Sequence, residues 1–194
     1  MVLGWLAAGH RCAWGHAADE LPGGDLCFFL SYERIVDRRT RKKYGNNLVV
    51  HESALPEGKG WSPLTWQILE GRNTIPMTLF EAAEHVDSGP IYAERWITFR
   101  GHELIDELRA AQAEATLHLC PWFVAEYPDS VAHAREQTGE ESVYPRRQPT
   151  DSELDPDRTL RDQFNLMRVV DNDRYPAVIH LRGHRYRLAI HDDG

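Results

Sequence analysis

The residues of this chain best suited to chemistry are a histidine and an aspartate, each placed just after an apolar stretch. His51 follows the run 47–50, and Asp87 stands directly before Ser88-Gly89. Imidazole side chains exchange protons near neutral pH, and a neighbouring carboxylate can orient and stabilise the charged ring. Because open α/β sheets bind ligands at the carboxyl ends of their strands, the pair predicts a proton-transfer site there. The alternative is a hydrogen-bonded core histidine and an ordinary turn aspartate.

The elements that must position this pair follow from the hydrophobic pattern. Near-continuous apolar runs at 25–31, 47–51 and 75–80 predict strands that are buried on both faces. Between 101 and 126, apolar residues recur every three or four positions, which predicts an amphipathic helix. Strands that alternate with helices indicate the α/β class with a mainly parallel sheet.

A second helix is predicted directly after the His51 loop. Ser62 has the side chain of an N-cap, Pro63 suits the first helical position, and Gly71 suits the position just past the end. This helix would close the loop that follows His51.

The composition changes near residue 128. We therefore divide the chain into a catalytic domain at 1–128 and a small carboxy-terminal lobe at 129–194. In the lobe, a helix is predicted at 159–170, and strands at 177–181 and 185–190 are predicted to form a hairpin through Gly183.

Several motifs resemble the enzymes that transfer a formyl group from 10-formyltetrahydrofolate. A His-x-Ser-x-Leu-Pro motif at 51–56, a Gly-x-x-Pro motif at 60–63 and a Val-Asp-Ser-Gly turn at 86–89 occur in the order typical of that family. The segment 28–36 resembles its folate-binding strand and loop. The segment 144–151 is similar to the sugar-modifying members. The resemblance covers about residue 9 to the carboxy terminus and implies a Rossmann-like, methionyl-tRNA formyltransferase-like fold.

Within this family, the segments 58–63 and 171–176 are most similar to the branch that acts on an amino sugar of pseudaminic acid biosynthesis. Compared with the family, the chain is expected to lack the first strand and most of the first helix. Residues 1–8 would supply only the end of that helix, and a strand is predicted near Cys12. A chain extended by this missing half-unit is expected to be more stable.

The resemblance also assigns roles to particular residues. His51 and Asp87 would be the catalytic pair, while Val49 occupies the position where most members carry an asparagine. Asn47 lies on the same face of the strand and is kept as a catalytic candidate, although it is ~13 Å from His51 along an extended strand, compared with ~7 Å for a two-residue step. An alternative role for Asn47 is to connect helix and strand. The residues implied to hold 10-formyltetrahydrofolate are Ser31, Tyr32, Arg34, Ile35 and Val86.

Four residues are candidates for binding the amino-sugar substrate, which the resemblance implies is nucleotide-linked. Lys59 and Trp61 lie in the Gly-rich loop after His51, and Arg146 and Arg147 would suit a nucleotide diphosphate through charge-assisted bonds. The alternatives are a Trp61 that covers the core and surface arginines that are solvated or paired with carboxylates.

Composition narrows the classes of partner. A net charge of −8 counts against a nucleic-acid partner, and no run approaches the ~20 apolar residues of a membrane span. Three cysteines at irregular spacing predict reduced thiols, and no histidine cluster has the spacing of a metal site. We therefore expect a cytoplasmic protein that binds neither a metal ion nor a membrane. The resemblance implies that the chain can form a homodimer.

The function expected from these observations is N-formylation of an amino sugar. Three alternatives remain: hydrolysis of 10-formyltetrahydrofolate, methionyl-tRNA formylation, and a catalytically impaired folate- or nucleotide-binding protein. Val49 and the absent first strand favour the last of these.

Overall fold

The structure, a computed structural model, describes all residues from 1 to 194. The strands are β1 (Gly24–Phe29), β2 (Tyr44–His51), β3 (Lys59–Gly60), β4 (Thr74–Glu81), β5 (Ile91–Thr98), β6 (Val143–Tyr144), β7 (Glu153–Leu154), β8 (Ala177–Leu181) and β9 (His184–Leu188). The helices are α1 (Val2–Ala7), α2 (Arg38–Arg41), α3 (Pro63–Leu69), α4 (Ile105–Ala125), α5 (Asp129–Ala132) and α6 (Phe164–Arg168), with a 3₁₀ turn at Pro149–Ser152.

The main sheet has four strands in the order β1-β2-β4-β5. The α/β class is confirmed, as are the predicted strands at the positions of β1, β2 and β4. The expected predominance of parallel pairing is corrected: β1 and β2 are parallel, whereas β2–β4 and β4–β5 are antiparallel. The connection between β4 and β5 contains no helix, so it cannot make the crossover that parallel pairing requires.

The core lies between this sheet and α4, which confirms the helix predicted at 101–126. Leu48, Leu79 and Met77 project from the sheet onto Leu119 and Phe123 of the helix, and all five are buried. Removing a side chain of this size from water stabilises a fold by roughly 1.5–3 kcal/mol. The sheet is therefore fixed from one face, and its other face carries His51.

The helix α3 begins and ends near the predicted residues. Pro63 is its first residue, and Gly71 follows its end with a φ of 87°. Ser62 precedes it but makes no capping hydrogen bond, because its backbone is left-handed (φ 49°) and not extended as in an N-cap. The predicted capping role of Ser62 is therefore wrong.

The strand β5 was not predicted. Its exposed positions, including Glu94 and Trp96, alternate with more buried ones, which is the pattern of an edge strand with one solvated face. That alternation is visible in the sequence. The strand predicted near Cys12 is absent: residues 9–23 form no ladder, and β1 is the edge of the sheet. Glycines at 9 and 15 interrupt this stretch.

In the carboxy-terminal part, the hairpin of β8 and β9 is confirmed, and β7 extends it to three strands. The helix predicted at 159–170 is shorter, at 164–168. The side-chain amide of Gln163 donates to the backbone oxygens of Arg158 and Thr159, and the backbone N–H of Gln163 bonds to Leu160 instead of Thr159, so α-helical bonding does not extend back to residue 159. The boundary at residue 128 stays a prediction.

All three cysteines are free thiols, and burial raises the pKa of Cys120 to about 12. None of the helices combines the length and the apolar character needed to cross a membrane.

Candidate active site

His51 is the last residue of β2, and its side chain is buried. Its Nε2 atom lies 2.9 Å from the backbone oxygen of Gly58 and 3.7 Å from Oδ2 of Asp87. Both neighbours are hydrogen-bond acceptors, so Nε2 carries a hydrogen, and Nδ1 has the free lone pair when the ring is neutral. The ring packs edge-on against Phe80 with centroids 6.4 Å apart. The sequence-predicted pair is therefore brought together at one end of the sheet.

Asp87 is held at both its carboxylate and its backbone. Oδ2 accepts a hydrogen bond of 2.9 Å from the backbone N–H of Gly60. Its backbone is left-handed, with a φ of 49°, and the amide of Gln137 donates to the backbone oxygens of Asp87 and Gly89, at 2.8 Å each. Gly89 is required because a Cβ atom there would lie 1.9 Å from the backbone oxygen of Glu81.

Val49 and Asn47 lie on the same face of β2 as His51. Pairing of Leu48–His51 with β4 is regular, so no bulge moves Asn47 toward the histidine. The amide nitrogen of Asn47 donates to Glu81 and to the backbone oxygen of Arg41, at 3.3 and 3.2 Å. Asn47 thus joins β2 to its neighbours, and its catalytic role has no geometric support.

Glu52, directly after His51, was missed by sequence reasoning. Desolvation raises the pKa of this carboxyl, which accepts a hydrogen bond from the side chain of Gln112. The only sequence signal was a carboxylate next to the candidate histidine. Its perturbed environment marks the end of β2 as electrostatically unusual, a common property of functional sites.

Four of the five proposed cofactor residues lie in the loop after β1, and Val86 is next to Asp87. The loop 31–36 follows β1, and β1 is parallel to β2, so this loop and His51 leave the sheet at the same edge. Ser31 has a left-handed φ of 51°, and the ring of Tyr32 packs 5.8 Å from that of Phe29. Arg34 is exposed. Two apolar side chains face solvent: Ile35 is 74% exposed and Val86, next to Asp87, is 49% exposed.

The four candidate substrate residues differ in availability. The buried Lys59 ammonium pairs with Glu141 at 2.9 Å. The guanidinium of Arg146 lies 4.6 Å from the ring centre of Trp61, and 3.9 Å from the carboxylate of Glu33 in the loop after β1.

Arg147, in contrast, turns inward. Its guanidinium donates to the backbone oxygen of Asp151 and the hydroxyl of Ser152, and desolvation lowers its pKa. Its predicted role in substrate binding therefore has no geometric support, whereas Trp61 and Arg146 remain accessible.

A polar cavity of about 120 Å³ lies beside Gly58. Ser53, Arg72 and Tyr144 contribute to its wall, and the buried hydroxyl of Ser53 has no hydrogen-bond partner. Tyr144 donates to Glu70 at 2.8 Å, and burial raises the pKa of its phenol to about 12. No three His, Cys, Asp or Glu side chains are grouped as they would be around a metal ion.

No family model matches the chain. Among curated proteins, it is 30% identical over 87 residues to methionyl-tRNA formyltransferase of Sorangium cellulosum, covering 44% of this chain and 28% of that protein. It is 24% identical over 143 residues to methionyl-tRNA formyltransferase of Streptococcus pneumoniae, covering 72% of this chain and 45% of that protein. The chain thus spans less than half the length of these relatives.

Comparison with solved structures establishes the fold. The chain superposes on methionyl-tRNA formyltransferase from Clostridium thermocellum with a TM-score of 0.70 at 24% identity, over 84% of this chain and 70% of that one. The chain has the formyltransferase fold. A 4-N formyltransferase from Francisella tularensis gives a TM-score of 0.69 at 17% identity, over 86% and 70%. HypX from Aquifex aeolicus, in complex with tetrahydrofolic acid, gives 0.74 at 19% identity, over 86% and 29%.

Proposed function

We propose that this chain transfers a formyl group from 10-formyltetrahydrofolate to the amine of an amino sugar, with the sugar linked to a nucleotide. The observation that carries the proposal is the buried approach of His51 to Asp87, 3.7 Å apart at the end of β2 in a formyltransferase fold. A solved neighbour holds tetrahydrofolic acid, which supports a folate-derived donor. A sugar N-formyltransferase is also among the solved neighbours, which supports a sugar amine as acceptor.

The proposed reaction needs one proton acceptor and one proton donor. The acceptor amine attacks the formyl carbon, and a tetrahedral intermediate with an oxyanion forms. The neutral His51 ring takes the proton from the attacking nitrogen at Nδ1, because Nε2 already carries a hydrogen directed at Gly58 and Asp87. The proton then passes to the folate nitrogen as its bond to the formyl carbon breaks.

Asp87 supports this step by its charge. When the ring holds two protons it is an imidazolium, and the carboxylate at 3.7 Å stabilises that charge. The Asp87 carboxylate is itself fixed by the N–H of Gly60. Since Val49 offers no hydrogen bond and Asn47 donates elsewhere, the protonated ring or a backbone N–H would stabilise the oxyanion.

The donor is proposed to lie over the edge formed by the loop after β1 and the Asp87 turn. Exposed Ile35 and Val86 offer apolar contact to an aromatic ring system, and the backbone of Ser31 and Tyr32 offers hydrogen bonds. Arg34 is free to contact an anionic part of the folate. The amino-sugar nucleotide is proposed to approach from Trp61 and Arg146.

Release of tetrahydrofolate tests the proposal, with purified chain and four conditions: a nucleotide-linked amino sugar, the same amino sugar without nucleotide, methionyl-tRNA, and no acceptor. Release that requires the nucleotide-linked sugar supports it. His51→Ala is the matched negative control and is expected to lower turnover by ~10²–10⁴.

Methionyl-tRNA formylation is a second candidate because both curated relatives above carry that name. Release only with methionyl-tRNA would establish it. Release without any acceptor would indicate a hydrolase, and no release in any condition would leave a binding protein.

A further inference from the structure

The Asp87 turn is held by a side chain that has no part in the proposed chemistry. Both N–H groups of the Gln137 amide are used: Nε2 donates to the backbone oxygens of Asp87 and Gly89, each at 2.8 Å. Two residues earlier, Arg135 exchanges two backbone hydrogen bonds with Ile91, at 2.8 and 2.9 Å. Gln137 is thereby anchored to the segment that it holds, although it lies far from Asp87 in sequence.

The backbone at Asp87 needs such support. Its φ of 49° is left-handed, a conformation that has a steric cost for residues other than glycine, although aspartate adopts it more often than most. A rotation of the peptide after Asp87 would turn its backbone oxygen away from Gln137 and swing the side chain. The carboxylate would then lose the N–H of Gly60 at 2.9 Å and move away from His51.

We propose that Gln137 is a positioning residue for Asp87: its amide fixes the turn so that the carboxylate reaches both Gly60 and the His51 ring. The effect on turnover rests on the function proposed above, whereas the effect on geometry does not.

The same segment also holds the His51 side of the site. The hydroxyl of Ser142 accepts a hydrogen bond of 2.8 Å from the N–H of Gly58, whose backbone oxygen faces the His51 ring. Next to it, β6 pairs with β3, and a Cβ atom at Gly60 would lie 2.5 Å from the backbone oxygen of Tyr144. Residues 135–144 therefore contact both the Asp87 turn and the loop beside His51, and Gln137 supplies the contact with the Asp87 turn.

The first test is kinetic, with Gln137→Glu and Gln137→Met. An ionised glutamate has a similar shape but no N–H, and methionine has a similar length but no hydrogen-bond donor. We expect kcat to fall about 10- to 100-fold in both, with each KM within about threefold, because a small displacement of a reacting group lowers turnover more than binding. In an Asp87→Asn background, Gln137→Met should lower kcat by less than about threefold further, because Gln137 acts through Asp87.

The second test does not depend on activity. Amide hydrogen exchange of Gly60 reports the bond to Asp87 Oδ2, and we expect it to be at least about tenfold faster in either Gln137 variant. The matched control is Gln163→Ala. The Gln163 amide also donates to backbone oxygens, those of Asp155, Arg158 and Thr159, but in the carboxy-terminal part of the chain. It should alter neither kcat nor Gly60 exchange.

Wild-type kcat together with wild-type Gly60 exchange in a folded Gln137 variant would overturn the proposal. So would a loss in the Asp87→Asn background as large as in the wild type. If no acceptor supports turnover, the proposed function fails, and the Gly60 measurement still decides the positioning role.

Discussion

Asp87→Asn removes the negative charge of the proposed site while it keeps the shape of the side chain. An asparagine oxygen can still accept the hydrogen bond from Gly60, so the turn is expected to remain folded. What is lost is the attraction between the carboxylate and the imidazolium that forms at 3.7 Å. Coulomb's law gives this attraction as ~1 kcal/mol in bulk water and ~4 kcal/mol at an effective dielectric constant of ~20.

The higher figure applies better here, because the side chains of His51 and Asp87 are only 9% and 15% exposed. Since ~1.4 kcal/mol corresponds to a tenfold change in rate, we expect kcat to fall by ~10²–10³. The assay is tetrahydrofolate release at saturating donor and acceptor, with thermal unfolding as the control for folding. A folded Asp87→Asn variant with kcat within threefold of wild type would refute the reasoning.

Three further predictions concern stability, each measured by urea unfolding. Gly89→Ala should destabilise the fold by ~1–3 kcal/mol or prevent folding, since its Cβ would meet the backbone oxygen of Glu81 at 1.9 Å; unchanged stability would contradict the geometry of the turn. Phe123→Ala should cost ~3–5 kcal/mol, because its fully buried ring fills the core between sheet and helix; a loss below ~1 kcal/mol would place the core elsewhere. Backbone N–H groups, chiefly that of Arg174, hold the pKa of Asp171 below its ordinary value. Its carboxylate therefore stabilises the fold above pH ~4, and the difference between wild type and Asp171→Asn should shrink as the pH falls below ~4; a constant difference would exclude this contribution.

Local patterns were sufficient for much of the fold. The apolar runs at β1, β2 and β4 can be recognised from a few neighbouring residues. The same is true of the regular spacing of apolar residues in α4. In these elements, the apolar residues whose spacing predicts a strand or a helix are also the residues that the fold buries. Where a side chain competes for backbone hydrogen bonds, as that of Gln163 does, the pattern overestimates the helix. The antiparallel pairing of β4 with β5 depends on the course of the loop between the two strands. The spacing of apolar residues does not predict that course.

The sequence by itself determined that His51 ends a strand and that Asp87 stands in a turn after the next apolar run, and so proposed the pair. Only the tertiary structure decided that these two lie 3.7 Å apart, that Gln137 holds the Asp87 turn, and that Arg147 turns inward. The physical reason is the distance in sequence over which each feature is determined. Strand ends follow from the local alternation of apolar and turn residues, whereas contacts between residues distant in sequence, as Asp87 is from His51 and Gln137, depend on how the loops pack once the sheet has formed.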